Sequence, residues 1–125
     1  MNGDRFLLDT NAIVALLDGN TIINNLIIGS DWVGVSIVSV IEYISFSDLS
    51  VDDMDLLNNF LKRIEIVELT IDDFGLLLDI SLVRMSYKLK LPDAIIAATS
   101  MANKASLITA DKGFDKVKEL KVIGF

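Results

Sequence analysis

Short apolar runs alternate with stretches of helical periodicity along the whole chain, and this alternation constrains the fold more than any other feature. The runs at 5–8, 32–35, 64–69, 106–109 and 121–123 read as strands. Helical spacing covers 10–18, closed by Gly19, then 20–29, 37–46, and 51–63 behind Ser50 as N-cap. A longer helix is expected over 70–88, with Asp72 and Asp73 in its first turn and basic residues in its last, as the helix dipole prefers. Pro92 suits the first turn of the next helix, running to 103, and a short helix is expected over 111–119. Strands separated by helical crossovers run parallel, with right-handed connections and helices on both faces. The expectation is therefore an α/β fold whose ligands bind beyond the carboxyl ends of the strands.

No Pro/Gly/Ser-rich linker, low-complexity tract or internal repeat interrupts the 125 residues, so one domain over 1–125 is expected, long enough to bury its own core. The chain has no His and no Cys. Imidazole acid–base chemistry, thiolate nucleophiles and ordinary zinc sites are thereby excluded, and carboxylates remain as the chemical resource. Lack of cysteine also suits a reducing compartment, and the expected location is the cytoplasm. The segment MNGDRFLLDT carries Asp4 and Asp9 and does not read as a signal peptide. No apolar stretch approaches the roughly 20 residues that span a bilayer, so no membrane association is expected.

The formal charge is −7, which argues against broad electrostatic adhesion to nucleic acid or anionic membrane. Its distribution is uneven. Residues 1–61 hold Arg5 as their single basic residue against nine acids, whereas 62–125 hold ten basic residues against nine acids. A polyanion is expected to approach through the C-terminal half, where Arg84, Lys88, Lys90, Lys104, Lys112 and Lys116 lie. Each of these also reads as an ordinary solvated residue on a helix face.

Four acids stand where a parallel sheet would gather them: Asp9 in FLLDTN, Glu42 in SIVSVIEY, Asp93 in LPDAIIAA and Asp111 in SLITADKGF. Taken singly, Asp93 and Asp111 also read as helix caps, and Glu42, two helical turns beyond the second strand, as an exposed helical residue. Asp9 is harder to account for. A charge closing an apolar strand, with no basic residue beside it, is either paired or placed for a ligand.

These segments resemble the PIN-domain family of metal-dependent ribonucleases, and within it the small toxins of VapC type. The resemblance runs from FLLDTNAIVALL through SIVSVIEY and KLKLPDAIIAA to LITADKGFDKV. LLDTN and PDAIIAA are its specific motifs. It implies a three-layer α/β/α sandwich around a five-stranded parallel sheet, and an acidic cleft that binds Mg²⁺ or Mn²⁺. Carried over residue by residue, the metal-binding acids fall on Asp9 and Asp93, and the further active-site acids on Glu42 and Asp111. Asn11 matches a supporting polar side chain, Thr109 stands where the family often has Ser or Thr, and Asp115, one helical turn past Asp111, is placed to replace or assist it. Ala110 departs from the family, many of whose members carry a basic residue there.

The resemblance further implies an endoribonuclease that cuts RNA to a 5′-phosphate and a 3′-hydroxyl, acting as the toxin of a toxin–antitoxin pair. A cognate antitoxin is then an expected partner. A homodimer is expected as well, because 52% of the residues are hydrophobic and Ile22, Ile23, Leu26, Ile27 and Ile28 cover a broad arc of one helix. Two other readings stay open: an aspartate-based phosphotransfer or receiver domain with Asp9 as nucleophile, and a non-catalytic RNA-processing domain of the same fold.

Overall fold

The computed structural model describes residues 3–125. In chain order the elements are β1 (Arg5–Leu8), α1 (Thr10–Leu17), α2 (Thr21–Ile27), β2 (Trp32–Ser36), α3 (Ile37–Ile44), α4 (Val51–Leu61), β3 (Glu65–Val67), α5 (Phe74–Tyr87), α6 (Leu91–Ala102), β4 (Ser106–Ile108), a 3₁₀ turn (Lys112–Lys116) and β5 (Val122–Ile123). The five strands form one parallel sheet in the order β3-β2-β1-β4-β5. Connections from β1 build toward β3 on one side, and the chain then returns to β4 on the other. The order thus reverses between β1 and β4, and a crevice opens there at the carboxyl edge.

Alternation along the strands divides the core between two faces. Phe6, Leu8, Val35 and Ile108 pack with Ala12, Ile13, Ile23 and Leu57 of α1, α2 and α4. Leu7 and Leu107 pack on the opposite face with Leu76 and Ile80 of α5 and the buried run Ala94–Ala98 of α6. Helices therefore cover both faces, as the three-layer expectation requires. At the carboxyl edge α3 packs against both α1 and α6.

Several boundaries differ from those read in the sequence. The helix expected to begin at Thr70 begins at Phe74, because Asp73 steps out of it as the N-cap and accepts a hydrogen bond from Leu76 N–H at 3.1 Å. Asp72 and Asp73 consequently lie outside its first turn. The helix expected over 111–119 is only the 3₁₀ turn 112–116, tightened where the Asp111 side chain accepts from Gly113 N–H. Asn20 caps α2 rather than joining it, and β3 and β4 are shorter than their apolar runs. Ser50 caps α4 as expected, in a reciprocal pair with Asp53.

Gly34 on β2 is required by packing. A Cβ there would stand 2.2 Å from the Trp32 ring, which folds back over the glycine. The indole is held in that place: the Arg5 guanidinium lies 4.7 Å from the ring centroid, and the indole N–H donates to Glu65. Arg5 in turn donates to the Asn103 carbonyl at 2.7 Å, tying β1 to the C-cap of α6. Gly34→Ala is expected to cost about 1–3 kcal/mol by overpacking, lowering Tm by several degrees. Trp32 is the sole tryptophan, so a red shift of its fluorescence checks that the ring has been expelled toward water.

Candidate active site

The end of β1 holds the most enclosed acid of the cleft. Asp9 is 6% exposed, and its N–H extends the β1–β4 ladder by donating to the Ile108 carbonyl at 3.0 Å. As the N-cap of α1 it accepts from Thr10 N–H on Oδ1 at 2.8 Å. Its Oδ2 accepts from the Thr109 hydroxyl at 2.8 Å and from the Asn11 amide at 3.3 Å. The Thr109 hydroxyl also accepts from the Asn11 amide at 3.2 Å and from Asp111 N–H at 3.0 Å. Asn11 closes the network by accepting from Ala110 N–H at 3.0 Å. One hydroxyl thereby links Asp9, Asn11 and the backbone of Asp111.

Glu42 is carried to the same edge by α3, which starts directly where β2 ends, with Ser36 as its N-cap. Instead of facing solvent it is half-buried, and its Oε1 accepts from the Thr10 hydroxyl at 2.7 Å. Asp93 is the third residue of α6, whose N-cap, Lys90, makes no side-chain capping bond. Asp111 is exposed and caps the 3₁₀ turn, accepting from Gly113 N–H at 2.8 Å. Asp111 therefore is a cap, as the single-residue reading had it, and also borders the cleft.

Asp9, Glu42, Asp93 and Asp111 all line one depression of about 460 Å³, together with Thr10, Asn11, Val14 and Phe46. Thr109 supports it from beneath, 2% exposed. Asp115 does not line that depression. It borders a neighbouring hollow that shares Asp111 and Thr109 with the site and is otherwise lined by Ala110, Lys112, Val122, Gly124 and Phe125. The role of Thr10 as the tether of Glu42 was not anticipated; only its membership of the LLDTN motif pointed to it. A larger cleft of about 650 Å³ between α1, α2 and α4 borders none of the four acids.

The acids act on one another. Burial pushes the Asp9 carboxyl above the ordinary aspartate value of 3.8; hydrogen bonds from Thr109 and Thr10 pull it down, and the charges of Glu42 and Asp93 push it up again. Asp93 is also raised, first by burial and then by Asp111 and Glu42, against Lys90 and Lys116. In both cases the ionised form is the one penalised.

Such a donor set suits a hard divalent cation, since every side chain offered is a carboxylate, an amide or a hydroxyl oxygen. Among the described residues no three acids are arranged to hold a metal ion as they stand.

The family model for the PIN domain matches residues 6–120. No match was found among curated proteins. Among solved structures, the chain resembles one in the VapBC2 complex of Rickettsia felis bound to a promoter DNA fragment, with TM-score 0.80, 21% identity and coverage of 97% of this chain and 98% of that one. A toxin–antitoxin complex from Klebsiella pneumoniae gives TM-score 0.74, 25% identity and 94% coverage of both chains. VapBC-1 from nontypeable Haemophilus influenzae gives 0.78 and 19%, covering 96% of this chain and 97% of that one. With a matched span that reaches from β1 past the 3₁₀ turn and takes in all four acids of the cleft, the chain belongs to the PIN-domain family.

Proposed function

We propose that this chain is an endoribonuclease that hydrolyses RNA phosphodiester bonds with Mg²⁺ or Mn²⁺, and that it is the cytoplasmic toxin of a toxin–antitoxin pair. The observation that carries the proposal is the convergence of Asp9, Glu42, Asp93 and Asp111, from four separate segments, on one depression. Asp9 and Asp93 would hold the cation, with Glu42 and Asp111 available to a second ion or to water. When bound, the cation polarises the phosphodiester and lowers the pKa of a nearby water. Glu42, tethered through Oε1 by Thr10, keeps its other oxygen to accept a hydrogen bond from the attacking water and aim it in line. Asp111 orients the same water from the rim. The attacking water loses a proton to Glu42 as the new P–O bond forms and the bond to O3′ breaks, and O3′ takes a proton from solvent water, leaving a 5′-phosphate and a 3′-hydroxyl. Asp9 is enclosed and accepts three hydrogen bonds, so it positions and does not shuttle protons.

The toxin role is supported by the likeness to chains from toxin–antitoxin complexes. A homodimer is supported by a surface other than the one read in the sequence. Of the arc at 22–28, Ile23 is fully buried and only Ile22 and Ile28 are well exposed. On α5, by contrast, Phe74, Leu78, Leu82 and Met85 are all more than half exposed along one helical stripe. Two antiparallel copies of α5 would set Leu78 against Met85 and Asp79 against Arg84, so the stripe is self-complementary.

Cleavage of single-stranded RNA is expected to require Mg²⁺ or Mn²⁺ and to stop with EDTA. Asp9→Asn and Asp93→Asn should each remove nearly all activity, and Glu42→Gln and Asp111→Asn most of it. Persistent cleavage by purified Asp93→Asn, free of contaminating ribonuclease, would refute the assignment.

Metal-free stability offers a test that needs no RNA. Because folding raises the carboxyls of Asp9 and Asp93, their contribution to stability is fully present below pH 3.8 and is lost as pH rises through their raised values. Asp93→Asn should therefore leave Tm unchanged or higher at neutral pH without metal. Magnesium at roughly ten times Kd stabilises wild type by about 1.4 kcal/mol, a shift of several degrees that should shrink in Asp93→Asn. Protons compete for the same oxygens, so the magnesium shift should fade as pH drops into the acid range. A shift that Asp93→Asn leaves intact argues for a structural role only.

Light scattering at micromolar concentration should give a dimer, and Leu82→Glu a monomer. A strictly monomeric wild type that also ignores a co-expressed antitoxin would overturn the partner assignment.

A further inference from the structure

Beside the acidic depression lies a second, smaller pocket of about 180 Å³, lined by Lys88, Leu89, Lys90, Asp93, Asp111, Gly113, Phe114 and Lys116. Asp93 and Asp111 belong to both hollows and form the wall between them. Buried Leu89 and Phe114 make an apolar floor, while three exposed lysines surround it. We infer that this pocket is a subsite for one backbone phosphate of single-stranded RNA, the neighbour of the phosphate placed at the four acids.

Two features carry the inference. The lysines come from two separate segments, the α5–α6 junction and the 3₁₀ turn, so tertiary structure and not a run of sequence assembles them. Lys88 adopts a left-handed backbone, φ 54°, at the C-cap of α5, where glycine is the common residue. Lys104, outside the pocket, has the same conformation, φ 52°, so the backbone here is a capping feature that a glycine would relieve. The pocket is also small. At about 180 Å³ it lies below the roughly 300–1,000 Å³ of sites that enclose whole small molecules, yet it admits a phosphate with its ester oxygens. The N-terminus of α6, lacking a side-chain cap, adds favourable potential for an anion at the same end.

An arrangement of this kind answers the difficulty posed by a net charge of −7. An RNA strand meets a cationic hollow one step from a cluster of carboxylates, and the cluster alone would repel it. The lysines hold the strand's neighbouring phosphate and so register the scissile one over Asp9 and Asp93. Lys90 and Lys116 already act on Asp93 electrostatically, which places both charges within reach of that wall.

The subsite rests on the RNA-cleaving reading, and the test separates the two. Asp9→Asn protein without divalent metal is titrated with a mixed-sequence single-stranded RNA of about 20 nucleotides, at several salt concentrations. The same measurement is made with Lys88→Gln/Lys116→Gln added, and with Lys104→Gln/Lys121→Gln as a control of equal charge change. The control pair borders a hollow beside Ala105, at the amino edge of the sheet. The pocket variant is expected to bind about tenfold more weakly and to lose about 0.7 from the slope of log K against log salt, one phosphate contact. The control is expected to keep the slope. Lys88→Gly should raise Tm, by relieving the left-handed backbone, and yet weaken RNA binding. Equal losses in the pocket and control variants would overturn the subsite. So would unchanged RNA binding in the pocket variant with lost affinity for a polyglutamate peptide, an outcome that would assign the pocket to an acidic protein segment. If the lysine dependence holds but wild type with Mg²⁺ or Mn²⁺ cuts no RNA, the subsite stands and the nuclease assignment fails.

Discussion

A single buried carboxylate organises this molecule. Taking the Asp9 charge out of water is costly unless several donors replace its hydration. The donors that replace it are Thr10 N–H, the Asn11 amide and the Thr109 hydroxyl. Two come from the β1–α1 junction and the third from the residue after β4, so satisfying one charge also clamps the two strands between which the sheet order reverses. The same hydroxyl receives Asp111 N–H, which fixes where the chain leaves β4. Burial still wins over these bonds, since the carboxyl remains raised. The surplus cost is what a cation would relieve.

The remaining site residues are positioned largely by capping. In a parallel sheet each helix that follows a strand starts at the carboxyl edge, so N-caps collect on the face where ligands bind. Asp9 caps α1, Ser36 caps α3 and thereby sets the turn that carries Glu42, and Asp111 caps the 3₁₀ turn. Reading these acids as caps and reading them as a site are therefore compatible. Asp93 is different in kind. It lies inside the first turn of α6 and makes no capping bond there, and the like charges of Asp111 and Glu42 add to its burial cost. Of the four it has the least structural reason to be acidic.

The order of elements was legible because buried parallel strands appear as short continuous apolar runs, and helices as periodic ones. Local chemistry that depends on distant residues was not. Nothing near Glu42 reveals that Thr10, 32 positions earlier, holds its carboxylate. The start of α5 was misplaced because Asp72 and Asp73 serve equally well as first-turn residues or as a turn and cap, and only the side-chain bond to Leu76 decides. The α-helical turn expected between Asp111 and Asp115 is a 3₁₀ turn, which sets Asp115 on a hollow beside the acids and not on their depression. The apolar arc at 22–28 was real, but Ile23 is spent on the core, whereas the exposed stripe of α5 went unread because its spacing looks like any core-facing helix. The roles of the site residues came from motif resemblance, which periodicity could not have supplied.

The charge of the whole chain is a poor guide to what its cleft attracts. At physiological ionic strength fields between exposed charges fade over about 8 Å, so a ligand at one edge of the sheet responds mainly to its immediate neighbours. The acids of the first 61 residues, apart from Asp9 and Glu42, lie outside the cleft's lining, while the α5–α6 junction brings Lys88 and Lys90 beside Asp93. Folding thus converts a mild sequence asymmetry into adjacent negative and positive hollows. A polyanion that must be held by its backbone while one phosphate meets a cation needs such a pair, with the two charges side by side rather than averaged over the surface.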